Sequence, residues 1–268
     1  MVQHKDALEG GLDTPIPRTH NRLPMTLLVA LKGSDGLVLA ADSRGTFGDP
    51  RGVTAQNDAQ QKAHILAPHV AVLAAGSGEV GALIIDLVRQ QVTAQGTDGA
   101  TAVLNVLRDM ARARYQEWFP SVPPILPMAM VQTGQVAVRP DLAFLLGGYE
   151  PDGTPRLFGL GSFFDFSPML HDYGFALQGI AQYGLYLLNR LYEPGRTMQE
   201  LTALAIYVIT ETATQDGKVG GPVNVIVIRP GKEGCQSLPP EEVVKTRASN
   251  ESRSKALRDS FYQREVTA

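Results

Sequence analysis

The sequence predicts an α+β protein: a four-layer αββα sandwich in which two antiparallel sheets are stacked and flanked by helices. Short apolar runs bounded by turns are followed by two amphipathic segments. The same order of strands and then helices occurs a second time before one last apolar strand. Separate blocks of strands and helices are typical of α+β layers, whereas strict alternation would indicate a parallel sheet.

Strands are predicted at 26–31, 37–42, 64–67 and 69–75, where apolar runs are short and end in turns. Ser77 is suited to cap a first helix that carries one apolar face, and a second helix runs from Thr97 to just before Pro120. The second block has predicted strands near 128–138, 141–148 and 155–160, helices at 178–192 and 197–212, and a last strand at 222–228. The helix that starts at Thr197 opens with a capping box.

The chain of 268 residues divides into three zones by composition. Residues 1–25 are polar and rich in Gly and Pro, which predicts a leader or propeptide. Residues 26–230 carry the dense strand and helix signals and form the expected domain. Residues 231–268 are a polar C-terminal tail in which a helix is expected from 241 to 265.

Composition argues against several classes of function. A net charge of −3 does not suit a nucleic-acid partner, which requires a basic surface. The single cysteine, Cys235, excludes an intramolecular disulfide and a cysteine-based metal cluster, and it suits a cytoplasmic location. The histidines form no ligand-like cluster, and no apolar run has the length of a membrane span or a signal peptide. We therefore expect no metal, no cofactor and no membrane partner.

The first predicted hairpin begins with Thr26 and ends with a carboxylate, Asp42. A three-residue loop at 33–35 would place Thr26 opposite Asp42, and a two-residue loop would place it beside Ser43. Either register brings Asp42 back to Thr26. A buried carboxylate needs a cation or several donors, and the candidates are Arg44, which should be exposed, and Lys62.

A threonine hydroxyl needs a base, and the α-amine of a chain that starts at Thr26 would supply one. Lys62 nearby would lower the pKa of the hydroxyl and of the amine, and Asp42 would hold Lys62 in place. Gly76, before a helix start with free N–H groups, is the candidate oxyanion donor. Each residue alone also has an ordinary structural explanation: Asp42 and Gly76 occur in turns, and Lys62 could be a solvated charge.

These residues together resemble the proteasome β-type threonine proteases, which are N-terminal nucleophile hydrolases. The resemblance spans about 26–230 and lies in AADSR around Asp42, in Lys62, in AAGSG around Gly76 and in TQDGKVGGPVNVIVI. It implies that Thr26 is nucleophile and base, that Lys62 activates it, and that Asp42 anchors Lys62. It further implies that Gly76 N–H forms the oxyanion hole and that Asp216 supports the terminal amine.

The sequence departs from the family at four points, one of which is a longer connection at 120–140. The serine of a Gly-Ser-Gly stretch is missing at 175–179, and a serine after the supporting aspartate is replaced within 217–219. Met25 stands where self-processing relatives carry Gly. Thr26 would then be exposed either by methionine removal from a start at Met25 or by cleavage of a propeptide at Met25–Thr26.

The resemblance implies a peptide or unfolded protein as substrate and a homo-oligomeric ring, and it also admits an ATPase unfoldase as partner. The helix at 178–192, with its Tyr and Leu residues, would supply a self-complementary surface unless it is buried on the sheet. Two other functions stay open. One is hydrolysis of a small amide by the same nucleophile, and the other is an inactive proteasome-like assembly subunit.

Overall fold

A computed structural model describes residues 26–48, 54–120 and 139–262. The predicted leader at 1–25 and the predicted strand at 128–138 lie outside the described residues. The strands are β1 Leu27–Lys32, β2 Leu37–Asp42, β3 Gly45–Gly48, β4 Thr54–Asn57, β5 Ala63–Ala67, β6 Val70–Gly76, β7 Leu142–Tyr149, β8 Pro155–Gly161, β9 Met169–Leu170, β10 Phe175–Gly179, β11 Val223–Arg229 and β12 Gly234–Ser237. The helices are α1 Gly78–Gln95, α2 Ala100–Trp118, α3 Ala181–Leu191, α4 Met198–Gln215 and α5 Pro240–Tyr262.

The strands form two antiparallel five-stranded sheets and a small ribbon. The first sheet has the order β10-β1-β2-β11-β12, and the second has the order β5-β6-β7-β8-β9. The ribbon pairs β3 with β4. Because β2 lies in the middle of the first sheet, its last residue is held between β1 and β11.

Three apolar clusters separate four layers. One cluster fills the space between the two sheets and includes Leu28, Leu39 and Leu73. A second lies between α1, α2 and the second sheet, and a third lies between α3, α4 and the first sheet. Strands β1 and β2 are buried on both faces because helices cover one face and the other sheet covers the other. The predicted αββα sandwich is therefore confirmed.

The β1–β2 hairpin adopts the second of the two predicted registers. Leu28 pairs with Ala41 and Lys32 pairs with Leu37. Gly33 N donates to Gly36 O at 2.8 Å, which closes a two-residue turn in place of the three-residue loop. Asp42 is consequently at the level of Leu27, one residue beyond Thr26, and its carboxylate still returns to Thr26.

The predicted helix at 178–192 was wrong at its start. Residues Phe175–Gly179 form β10, which pairs with β1, and the helix begins only at Ala181. Gly179 has a φ of +89°, and a Cβ there would lie 2.0 Å from Thr26 O. This close approach requires glycine and ends the strand beside Thr26.

The short strands β3, β4, β9 and β12 were not predicted, because they contain two to four residues and lack an apolar run. The residues after 230, expected as a polar tail, include β12, which pairs with β11. They also include α5, whose Asn250 side chain donates to Ala203 O on α4 at 2.9 Å. In the part of the chain that the structure describes, no helix combines the length and apolar character required to cross a bilayer.

Candidate active site

Thr26 lies at the entrance of β1 and is fixed there by the neighbouring strand. Its carbonyl accepts a hydrogen bond from Ile180 N at 2.7 Å. Only 2% of the residue is exposed. Its hydroxyl donates to Asp42 Oδ1 and accepts from Lys62 Nζ. The structure thus brings three of the residues singled out in the sequence into direct contact.

Asp42 is fully buried at the end of β2, and its two carboxylate oxygens are saturated with donors. The donors are the Thr26 hydroxyl, Leu27 N at 3.0 Å and Lys62 Nζ at 3.1 Å on Oδ1, and Arg44 N and Gly220 N at 3.1 Å each on Oδ2. Multiple donors and a cation offset the cost of burying a carboxylate. Asp42 therefore acts as the fixed negative charge around which the cluster is built.

Lys62 immediately precedes β5, and its backbone is tied to the adjacent strand because Ala74 N donates to Lys62 O at 2.8 Å. The Lys62 side chain is 3% exposed, and its ammonium group reaches three oxygens: Thr26 Oγ1, Asp42 Oδ1 and Arg44 O, the last at 2.7 Å. Burial lowers the pKa of Lys62, and the charge of Asp42 opposes that shift in part. The ammonium is therefore held beside the Thr26 hydroxyl as a desolvated cation, which favours loss of a proton from that hydroxyl.

Gly76 ends β6, the strand that pairs with β5 and so runs beside Lys62. Its φ is +104°, and a Cβ there would lie 2.2 Å from Asp141 O. The next helix, α1, starts at Gly78, and Ser77 makes no side-chain capping bond, contrary to the prediction. The N–H groups of this first turn therefore have no partner within their helix.

A cavity of about 150 Å³ opens next to this helix start. It is lined by Gly45, Thr46, Gln60, Gly76, Ser77, Gly78 and Glu79. Gly45 follows Arg44 and Gln60 lies two residues before Lys62, so the cavity borders the loops that hold the cluster. A substrate group placed there would face the backbone N–H groups of this helix start, which is where an oxyanion site would need its donors.

Asp216, predicted to support the terminal amine, lies at the turn that follows α4. It ends α4, and its carboxylate accepts a hydrogen bond from Lys218 N at 2.9 Å. Among the contacts of the described residues, none joins Asp216 to Thr26. Asp216 instead shapes the turn that carries Gly220, whose N–H binds Asp42.

Arg44 and Gly220 contribute to the site in a way that the sequence reasoning missed. Arg44 was predicted as an exposed candidate cation for Asp42, yet it is the backbone N–H of Arg44 that binds Asp42 and its carbonyl that binds Lys62. Contacts made by the main chain do not depend on the type of residue, so the sequence does not reveal them. The only indication was position, since Arg44 stands two residues after Asp42 and Gly220 lies just before the last core strand.

No group of three or more His, Cys, Asp or Glu side chains suited to a metal ion occurs among the described residues. The chemistry available to the cluster is that of a hydroxyl between a cation and a carboxylate. Such a hydroxyl can attack a carbonyl once a base accepts its proton. In the full chain the Thr26 nitrogen is a peptide amide, so an amine base exists only after the preceding residues are removed.

Comparisons with known proteins relate this chain to proteasome subunits. A family model described as proteasome subunit matches residues 26–119, the part of the chain that carries Thr26, Asp42, Lys62 and Gly76. The resemblance to proteasome subunits predicted from the sequence is therefore confirmed. A comparison with curated protein sequences finds no match.

Solved structures similar to this chain include those of Anbu, described in one case as an ancestral beta-subunit. Anbu from Yersinia bercovieri matches with a TM-score of 0.67 and 17% identity, over 91% of this chain and 100% of that one. Anbu from Hyphomicrobium sp. strain MC1 matches with a TM-score of 0.65 and 19% identity, over 91% and 100% of the two chains. A Gly-1 mutant of the latter gives 0.65 and 20%, over 91% and 99%. At these identities the likeness establishes the proteasome-like fold.

Proposed function

We propose that this chain is a threonine-type peptidase that hydrolyses peptide bonds with Thr26 as an N-terminal nucleophile, after residues 1–25 have been removed. One observation carries the proposal: the Thr26 hydroxyl is buried between the Lys62 ammonium and the Asp42 carboxylate, inside a proteasome-like fold. A buried ion pair is costly to assemble, and this one touches a hydroxyl at the first residue of the core domain.

The reaction would proceed through an ester intermediate. Thr26 Oγ1 attacks the scissile carbonyl carbon while the Thr26 α-amine accepts the hydroxyl proton, directly or through one water. The tetrahedral oxyanion is stabilised by the N–H of Gly76 and collapses to an ester as the proton passes to the leaving amine. Water then attacks the ester carbonyl carbon, and the α-amine accepts a proton from that water and donates it to Thr26 Oγ1 as the ester bond breaks, which releases the acid product and restores Thr26.

Lys62 and Asp42 have distinct parts in this reaction. The Lys62 ammonium stabilises the oxygen of Thr26 as negative charge develops on it, because it donates to that atom directly. Asp42 keeps the ammonium oriented and balances its charge. Asp216 contributes indirectly, through the turn that supplies Gly220 N–H to Asp42.

A homo-oligomeric ring is part of the proposal, with a peptide or an unfolded protein as substrate. On α3 the large apolar residues Tyr183, Leu185, Tyr186 and Leu191 are 44–59% exposed. A cavity of about 230 Å³ lies between Tyr183, Tyr186, Leu187, Glu211 and Gln215 on α3 and α4. An apolar helix face of this kind supports contact between copies of the chain.

Hydrolysis of a small amide by the same nucleophile is a second candidate, which one observation favours. The cavity beside Gly76 has a volume of only about 150 Å³, which suits a small acyl group. The two candidates differ in the substrate and share the Thr26 chemistry.

The experiment compares the unsubstituted protein with Thr26→Ala and Thr26→Ser on fluorogenic peptides and on small amides. We expect peptide turnover that disappears in Thr26→Ala and persists at a reduced rate in Thr26→Ser. Turnover of small amides alone would select the second candidate. Activity that survives in Thr26→Ala, or no activity on either substrate class from a chain that begins at Thr26, would reject the nucleophile and leave an assembly subunit.

A further inference from the structure

Outside the catalytic cluster, Arg44 and Asp58 form a two-point ion pair. Arg44 Nε donates to Asp58 Oδ1 at 2.7 Å, and Arg44 Nη2 donates to Asp58 Oδ2 at 2.8 Å. This two-point geometry fixes the orientation of the guanidinium as well as its position. The side chains are 21% and 42% exposed, so the pair is screened and contributes little to global stability.

The backbone of Arg44 is part of the site described above. Arg44 N donates to Asp42 Oδ2 at 3.1 Å, and Arg44 O accepts from Lys62 Nζ at 2.7 Å. The residue whose side chain is held by Asp58 therefore contacts both members of the buried ion pair. A rotation of the peptide units around Arg44 would change both contacts at once.

The same guanidinium also holds the turn after α4. Arg44 Nη1 donates to Gly217 O at 3.0 Å. The guanidinium packs flat against Gly220, where a Cβ would lie 2.5 Å from Arg44 Cζ. Gly220 N in turn donates to Asp42 Oδ2 at 3.1 Å. The Arg44 side chain thus fixes a second backbone donor of the Asp42 carboxylate.

Asp58 is itself anchored next to these loops. Its carbonyl accepts a hydrogen bond from Ser43 Oγ at 2.7 Å. Two residues later, Gln60 N donates to Ser43 O at 3.0 Å, and the chain then reaches Lys62. The backbone of Asp58 is therefore tied to the residue that precedes Arg44. Its carboxylate holds the Arg44 guanidinium from an anchored position.

We propose that Asp58 is a positioning residue of the candidate active site: it orients the Arg44 guanidinium and thereby fixes the peptide groups that hold Lys62 and Asp42. This inference rests on the proposed function for its catalytic consequence. Its structural consequence, the placement and protonation of Lys62, stands independently of any turnover.

Charge supports the same assignment. Burial is the main cause that lowers the pKa of Lys62; among the charged groups that face the ammonium, Asp42 and Asp58 raise this pKa and Arg44 lowers it. While Asp58 is ionised, it offsets the guanidinium charge. Without that carboxylate, Lys62 would face an unneutralised cation, and its proton would be lost at a lower pH.

The test uses Asp58→Asn, with Asp109→Asn as the matched control. Asp109 forms an exposed two-point pair with Arg108, at 2.8 and 3.2 Å. Both residues lie on α2, in a helix layer, and are distant from Thr26 in the sequence. Asparagine suits a turn as well as aspartate does, so the variant should fold, and Asp58→Ser is a second uncharged replacement. Asp58→Glu restores the charge.

Two quantities are measured on chains that begin at Thr26. The first is the pKa of Lys62, followed through its ¹³Cε resonance, which is assigned by its absence in Lys62→Met. The second is the pair kcat and KM for a fluorogenic peptide. We expect a lower Lys62 pKa and a kcat about tenfold lower in Asp58→Asn, with KM changed less than about twofold, the equivalent of roughly 1.4 kcal/mol on the barrier alone.

Asp58→Ser should reproduce both changes, Asp58→Glu should recover most of the loss, and Asp109→Asn should match the unsubstituted protein. An unchanged Lys62 pKa in folded Asp58→Asn and Asp58→Ser would overturn the inference. Failure of the proposed function has a different signature, because the Lys62 pKa would still fall in Asp58→Asn although no variant shows turnover that depends on Thr26.

Discussion

Replacing Asp42 with asparagine keeps the shape of the side chain and removes its charge. Oδ1 accepts from Leu27 N at 3.0 Å and Lys62 Nζ at 3.1 Å, and Oδ2 accepts from Arg44 N and Gly220 N at 3.1 Å each. Whichever way the amide is turned, its NH₂ group must face two N–H donors. The variant loses those hydrogen bonds and leaves the buried Lys62 ammonium without its counter-charge.

The expected cost follows from these contacts. Removal of one partner from a buried ion pair costs about 3–5 kcal/mol, and no cavity term is added because asparagine fills the same space. That is a large part of the roughly 5–15 kcal/mol that stabilises a folded domain. With a urea m-value of about 2.5 kcal/mol per M, the midpoint should fall by about 1.5 M.

The assay is equilibrium unfolding in urea at one protein concentration, followed by fluorescence and circular dichroism. Lys62→Met and the double variant Asp42→Asn/Lys62→Met complete a double-mutant cycle. The loss of stability in the double variant should be smaller than the sum of the two single losses by at least about 1 kcal/mol. Asp109→Asn is the control for loss of an exposed carboxylate. A midpoint for Asp42→Asn within about 0.3 M of the unsubstituted protein would refute this account of the cluster.

Three further predictions concern single groups. Burial lowers the pKa of Lys62 below the ordinary lysine value of 10.5. Between the pKa in the folded state and 10.5, the folded state therefore binds fewer protons than the unfolded state. The free energy of unfolding, measured relative to that of Lys62→Met, should rise with pH across this range. Urea titrations of both proteins between pH 7 and 10.5 test this, and a difference between them that does not change with pH would contradict it. Gly76→Ala should lower kcat and the urea midpoint, because alanine at a φ of +104° meets Asp141 O; equal values in both proteins would count against the oxyanion assignment. Burial raises the pKa of Cys235 to about 12, so a thiol reagent at pH 8 should react slowly until urea unfolds the protein, and immediate reaction would be the contrary result.

The sequence predicted the layers well because their cause is local. Apolar runs of strand length and helices with one apolar face must be buried, and the αββα sandwich buries all of them. The contact of Thr26 with Asp42 was also predictable, because both hairpin registers return the carboxylate to the start of β1. Lys62 was predicted as a partner of Asp42 because a buried carboxylate needs a cation.

The remaining parts of the site depend on contacts that residue types do not reveal. The Arg44–Asp58 pair requires the β3–β4 ribbon, whose strands Gly45–Gly48 and Thr54–Asn57 are too short and polar to be predicted. The strand at 175–179 was taken partly as helix because its pairing with β1 is set by tertiary contacts beyond its own sequence. Backbone donors such as Gly220 N act through position alone.

The central claim is that amine and hydroxyl belong to the same first residue. Periodate cleaves a 1,2-amino alcohol, a unit that a protein contains only when serine or threonine is its free N-terminal residue. We predict that the purified active protein has the intact mass of a chain starting at Thr26, and that periodate converts its N-terminal peptide to the corresponding aldehyde, whereas Thr26→Ala does not react. An active protein that retains residue 25, or one whose N-terminal peptide resists periodate, would contradict the account.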